Sequence, residues 1–274
     1  MHLVTIATHS DAYLPYLKKS CRRHHSKLVV LGWGQKWPGY SFKSKLMKEY
    51  LKDIADDEVV CVIDSFDVIL LRPVDELESA FRTYSELTGM TLIVGCDKPP
   101  SFMVRSIASV QFGTCHGLLL NAGTYIGYAK DIRTMIDEVF VSPDLDDQVL
   151  LVKYVQQHPH SVHIDTSSIF FLTINNPTGD FVYDKDIIRI QDQKLYYRGI
   201  RPFFAHGNGN TNMNTLITQL EYEISSMAKT AIETASFFTK LRKIWEYYYP
   251  QIIGVVIMLA IYIILWLRRK SKSV

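Results

Sequence analysis

Residues 59–71, VVCVIDSFDVILL, constrain the fold more than any other stretch. The run is apolar and rich in β-branched residues, and only Asp64, Ser65 and Asp67 interrupt it. That composition reads as a buried central strand. Carboxylates ending a buried strand are costly unless they are paired or bind a cation. In an open α/β sheet, ligands sit outside the carboxyl ends of the strands. Asp64 and Asp67 therefore fall where a metal and its ligand would be held. The alternative is that they only cap a turn.

The sequence around this run predicts an α/β domain. Strands at 2–8 and 27–32 flank a helix at 12–25, a βαβ opening that implies a parallel sheet. A Gly- and aromatic-rich loop at 32–40 precedes an amphipathic helix at 43–55. A helix at 74–87, a strand at 91–96 and a long loop from Pro99-Pro100 follow. Residues 118–128 read as strand, small-residue turn (Asn121-Ala122-Gly123) and second strand. Helices are expected at 131–140 and 146–155, and short strands at 163–164, 170–172, 182–183 and 187–190.

The 274 residues suffice for one such domain and an appendage. Cys21, Cys61, Cys96 and Cys115 lack CxxC spacing and read as buried free thiols. A net charge of +2 gives no case for a nucleic-acid partner.

Beyond residue 212 the composition changes. Ile217, Leu220, Ile224, Met227, Ala231, Thr234, Phe238, Leu241 and Trp245 recur by threes and fours. They form either one helix packed on the domain or a helical stem at 213–246 through which copies associate. Residues 247–267 then read as a transmembrane helix, with residues 252–267 uncharged and apolar. Residues 268–274 form a basic tail. MHLVTIATHS has no signal-peptide pattern, so a single-pass C-terminal anchor with a cytosolic domain is expected. The basic tail favours the cytosolic side and keeps a luminal domain as the alternative.

Four separated pieces share one chemistry. Asp64 and Asp67 are hard oxygen donors suited to Mg²⁺ or Mn²⁺. In His206-Gly207-Asn208-Gly209 the glycines let backbone N–H groups approach a phosphate, and the imidazole favours Mn²⁺. Asn121-Ala122-Gly123 is the third piece, and the acidic run Asp144, Asp146, Asp147 with Gln148 the fourth. Each has a plainer reading: an ordinary turn, or acids stabilised by a helix dipole. Together they supply a carboxylate-held cation beside a phosphate-cradling loop, as a nucleoside-diphosphate leaving group requires.

At this point the chain resembles a family. VTIAT (4–8), LGWGQKW (31–37), VIDSFDVIL (62–70), LNAGTYIGYA (120–129), DDQVL (146–150) and HGNG (206–209) occur in that order. The order is similar to that of the glycosyltransferase domain of procollagen lysyl hydroxylases and related viral and cellular glycosyltransferases. The resemblance covers residues 1–212 and implies a GT-A, Rossmann-like mixed sheet flanked by helices.

It also implies roles. Asp64, Asp67 and His206 match the Mn²⁺ ligands, with Mg²⁺ as the alternative ion. Thr8 and Trp37 match positions that hold the uridine of a UDP-sugar, with Phe66 beside the nucleotide and Lys43 or Lys45 as the donor-binding lysine. Gly207, Asn208 and Gly209 match the diphosphate loop. Asp146 and Asp147 match the catalytic acidic pair, and Asp97 and Asn121 lie on the acceptor side.

The chain also departs from the family. Phe66 stands for a tyrosine, Asn212 for a lysine, and Pro99-Pro100 replaces a Cys-Trp gate. The hydroxylase region has no counterpart, so no iron or 2-oxoglutarate chemistry is expected. The implied activity is hexosyl transfer, from UDP-glucose or UDP-galactose, to a protein or glycan hydroxyl. A catalytically degenerate sugar-nucleotide-binding membrane scaffold is the rival, and a nucleotide-sugar hydrolase a third reading.

Overall fold

The computed structural model describes residues 1–39, 41–139, 146–177, 179–223, 254, 256–259 and 261. The chain divides into two units, Met1–Lys229 and Thr230–Val274.

The first unit begins with β1 (His2–Ile6), α1 (Leu14–Arg23), β2 (Leu28–Leu31) and α2 (Ser41–Leu51). Then come β3 (Val59–Ile63), β4 (Val68–Leu70), α3 (Val74–Thr88), β5 (Leu92–Lys98) and α4 (Phe102–Phe112). β6 (Leu120–Tyr128), α5 (Ala129–Val139), α6 (Asp147–Gln157), β7 (Val162–Asp165) and β8 (Phe171–Ile174) follow. β9 (Ile188–Gln191) and β10 (Lys194–Tyr197) form a separate hairpin, and β11 (Phe204–His206) and α7 (Asn214–Gln219) close the unit.

The main sheet has nine strands in the order β2-β1-β3-β6-β5-β8-β11-β4, with β7 also paired to β5. β1 lies parallel between β2 and β3, as the βαβ opening predicts. β6 runs antiparallel to both neighbours, which makes the sheet mixed.

Alternation along β3 explains why both its faces are dry. Val60 and Val62 join the core under α2, α5 and α6, with Met47, Leu51, Ile132, Met135, Leu151 and Val155. Val59, Cys61 and Ile63 join the core under α1 and α3, with Leu14, Leu17, Leu77 and Phe81. All four cysteines are buried and free.

The 59–71 run is not one strand. It breaks at Asp64–Asp67 into β3, in the middle of the sheet, and β4, at its far edge. Five inter-strand steps would span about 24 Å in a flat sheet. The five residue steps from Ile63 to Val68 reach at most about 18 Å. The sheet therefore curls so that its edge returns to its centre, and the acidic loop bridges the gap.

Three other expectations are corrected. Asn121-Ala122-Gly123 is no turn, because β6 runs unbroken. The small residues sit where its pairing with β5 slips, from Val94↔Tyr125 to Gly95↔Asn121. The long loop after Pro99-Pro100 contains α4, capped by the Ser101 side chain, which accepts from Val104 N. Residues 182–183 are not a strand.

α7 is packed into the first unit. Met213 N donates to Tyr13 Oη at 2.9 Å, and Leu216, Ile217 and Leu220 are buried. The first two positions of the apolar series thus lie against the domain. Most of the expected stem (213–246), the expected span (247–267) and the whole basic tail (268–274) lie outside the described residues. Among the described residues no helix is long and apolar enough to cross a membrane.

Candidate metal and donor site

Strand pairing assembles the centre of the site. Asp64 follows β3, Asp67 precedes β4, and His206 ends β11. β11 pairs antiparallel with β4, so His206 lies opposite Val68, and Gly207 N donates to the Asp67 carbonyl at 2.8 Å. Asp64 is fixed from the other side, its N–H donating to the Gly123 carbonyl at 2.7 Å.

The three side chains converge. His206 Nε2 lies 3.3 Å from Asp67 Oδ1 and 3.8 Å from Asp64 Oδ2. One donor atom from each falls within 4.8 Å of the others. His206 is fully buried, yet neither ring nitrogen has a hydrogen-bond partner. Burial works against the imidazolium, and the Asp67 and Asp64 carboxylates more than offset it, raising the His206 pKa. A buried nitrogen without a hydrogen bond, facing two carboxylates, makes a group that could hold a metal ion, and the chemistry of this donor set fits a divalent cation.

Gly123 makes room for this group. A Cβ there would stand 2.1 Å from Asp64 Oδ2 and 2.8 Å from His206 Cε1. At Gly209, with φ +67°, a Cβ would stand 2.8 Å from Asn175 Oδ1. The HGNG turn therefore needs its last glycine for conformation and for space.

Lys43, on α2, links the metal group to the acidic helix. It donates to Asp64 Oδ1 at 2.7 Å and to Asp147 Oδ2 at 3.2 Å. Burial opposes its charge, but Asp64 and then Asp147 hold its pKa above the usual lysine range. Burial likewise pushes the Asp64 carboxyl up, while Lys43 and His206 bring it below the usual value. Lys45 is exposed, so Lys43 is the lysine at the site.

The acidic pair separates in role. Asp146 caps α6, its Oδ1 accepting from Gln148 N at 2.9 Å. Burial raises its pKa. Asp147 is the member that faces Lys43.

Asp97 and Asn121 belong to a buried polar knot. Asp97 accepts from the side-chain amides of Asn121 at 3.3 Å, Asn175 at 3.0 Å and Asn208 at 3.0 Å. Asn121 Oδ1 in turn accepts from Gly123 N at 3.0 Å. Burial pushes the Asp97 carboxyl up to about 6 despite these hydrogen bonds. The knot ties the HGNG turn to β5 and β6. Asn175 carried no sequence signal, because its side-chain partner, Asp97, lies 78 positions away in the chain.

Thr8, Trp37, Phe66 and Asn212 make other contacts. Thr8 O accepts from Gly34 N at 2.8 Å, which folds the start of the loop after β2 towards the end of β1. Trp37 is 42% exposed and stands edge-on to Phe42. Phe66 packs near the His9 ring, 5.5 Å between centroids. Asn212 Oδ1 accepts from Asn214 N and from Tyr13 Oη, so its side chain joins α7 to α1.

The profile of the PLOD GT domain matches residues 1–229, most of the chain. The chain belongs to the PLOD GT-domain family. Among its relatives, "Uncharacterized protein R699" of Acanthamoeba polyphaga mimivirus is 25% identical over 218 residues, 75% of this chain and 45% of that protein. The human "Multifunctional procollagen lysine hydroxylase and glycosyltransferase LH3" is 25% identical over 229 residues, 77% of this chain and 30% of that protein. The chain thus spans less than half the length of either relative. A crystal structure of a glycosyltransferase involved in glycosylation of the major capsid of PBCV-1 has TM-score 0.43 and 12% identity. It covers 85% of this chain and 100% of that one, and a likeness so low adds nothing to the family assignment. In this PLOD GT domain the Asp64–Asp67–His206 group is the candidate metal centre.

Proposed function

We propose that this PLOD GT domain is a metal-dependent glycosyltransferase that moves a hexose from a UDP-sugar to a hydroxyl acceptor. The observation that carries the reading is His206. It is a fully buried imidazole whose Nε2 faces the Asp67 and Asp64 carboxylates at 3.3 and 3.8 Å with no hydrogen bond to either ring nitrogen, at the start of a glycine turn. The chemistry of that donor set is neutralisation of charge on a departing diphosphate.

The chain's own groups have separable tasks. Asp64, Asp67 and His206 would hold Mn²⁺ or Mg²⁺. The backbone of Asn208 and Gly209 would receive the diphosphate, Gly207 N being committed to the Asp67 carbonyl, with Asn208 oriented by Asp97. Exposed Trp37 offers a ring face to the uracil. Lys43 holds the Asp64 carboxyl below its usual pKa and pairs with Asp147 at 3.2 Å. Asp147 is then the carboxylate placed to orient the acceptor hydroxyl or to stabilise positive charge on the sugar, and Asp146 holds its helix. UDP-glucose and UDP-galactose are the donors we favour, with a protein or glycan acceptor. We place the domain on the cytosolic side of a membrane, tethered through the C-terminal apolar tract.

Calorimetric titration of the full chain with UDP, in Mn²⁺ and then in EDTA, tests the donor site. Metal-dependent binding is expected. Binding that ignores EDTA would remove the metal from the reading. Asp67→Ala is expected to abolish transfer while leaving the fold intact. A scaffold reading is favoured by Asn212, whose side chain is committed to Tyr13 and Asn214 where the family has a lysine. UDP binding without turnover on any acceptor would establish that alternative.

A further inference from the structure

α4 carries large apolar residues on its solvent side. Its sequence, FMVRSIASVQF, contains no acidic residue, and its only buried side chain is Ala108. Phe102, Met103 and Val110 are 84%, 60% and 89% exposed. At 3.6 residues per turn these three fall within an arc of about 100°, and Ala108 lies on the opposite side. Single exposed apolar residues are ordinary, but three large ones grouped on one helix face, around the small Ser106, mark an interaction surface.

The chemistry around the face selects the partner. Arg105 is exposed on the helix itself, and exposed His116 and half-buried Lys98 lie beyond its ends. A helix with aromatic and aliphatic groups on one face, basic groups at its margins and no acid suits the boundary of an anionic bilayer. The same chain carries the uncharged apolar tract 252–267, followed by Arg268, Arg269, Lys270 and Lys272, a segment suited to holding it at a membrane. A soluble peptide partner would leave that coincidence unexplained.

We propose that α4 is an interfacial helix that seats the domain on an anionic bilayer surface through Phe102, Met103 and Val110. The helix starts five residues after Asp97, a reach of at most about 18 Å. Docking therefore sets the Asp97 end of the sheet close to the lipid headgroups. The docking needs neither donor nor metal, so its test stands apart from the transferase reading.

The native cysteines are all buried, so a thiol-reactive fluorophore can be directed to an introduced surface cysteine. The full chain carrying Val110→Cys would be labelled and reconstituted in phosphatidylcholine vesicles doped with phosphatidylserine and spin-labelled lipid. Glu86→Cys, at an exposed position on α3, is the reference. Lipid quenching several-fold stronger at position 110 than at 86 is expected, and Phe102→Asp should lower it to the reference level. Equal quenching at both positions, or no vesicle binding, overturns the proposal. Concentration-dependent protection of position 110 without lipid quenching also overturns it, in favour of a second copy of the chain.

Discussion

Gly123 and Asp64 approach so closely that no side chain fits between them: a Cβ on Gly123 would stand 2.1 Å from Asp64 Oδ2. His206 Cε1, at 2.8 Å, closes the other side. Gly123→Ala must push at least one candidate metal ligand away. Overpacking of this kind costs about 1–3 kcal/mol. The expected result is a lower Tm together with a loss of Mn²⁺ affinity in calorimetry. Unchanged Mn²⁺ affinity would mean that Asp64 is not a ligand.

Lys43→Ala leaves Asp64 and Asp147 without their shared cation. The side chains are about a quarter exposed or less, so the loss lies between the surface and buried limits, about 2 kcal/mol. Because Lys43's pKa is raised on folding, its contribution is full below the usual lysine value and fades as pH rises through the raised one. Because Asp64's is lowered, its contribution is full above the usual aspartate value and fades as pH falls through the lowered one. Between those limits the destabilisation should be flat, and urea unfolding at several pH values checks it.

Asp97 gives a slope of opposite sign to Asp64. With a folded pKa of about 6, the native state holds a proton that the unfolded chain releases near pH ~3.9. Stability from this group therefore falls as pH rises between those values, by about 3 kcal/mol in all. Asp97→Asn should erase that fall when unfolding is followed in EDTA from acid to neutral pH. An identical slope in parent and variant would assign the proton elsewhere.

Tyr13 tests where the domain ends. Its hydroxyl accepts from Met213 N and donates to Asn214 Oδ1 at 3.1 Å, which pins α7 to α1. Tyr13→Phe leaves a buried N–H without that acceptor, at a cost of about 1–3 kcal/mol. Chain ending before residue 213 should lose more, because buried Met213, Leu216, Ile217 and Leu220 go with it. If both variants unfold like the parent, residues 213–222 contribute nothing to the domain.

Much of this was legible in the sequence because it rests on local patterns. β1, α1 and β2 follow from apolar alternation and helical spacing, and α3 ends at Gly89 in the left-handed conformation that favours glycine. The cation chemistry of Asp64, Asp67 and His206 was readable from residue type and order. The linear reading failed where long-range pairing competes with local pattern. Asn121-Ala122-Gly123 looks like a turn, yet it continues β6, and the slipped β5 register absorbs the irregularity. α4 was hidden because Phe102, Met103 and Val110 face solvent, so its apolar residues spread over both faces and no single stripe marks it.

The sequence by itself determined the parts: buried β-branched runs that must become strands, and acids and glycines whose chemistry suits a cation and a phosphate. Tertiary structure decided which parts meet. Sheet curl brings β4 back beside the centre, so Asp67 and His206 join Asp64 across 142 positions of sequence. It also divided the acidic pair, turning Asp146 to its helix end and Asp147 to Lys43. The reason is physical: spacing fixes which face of an element a side chain occupies, whereas partners across a sheet are set by pairing and burial over the whole chain.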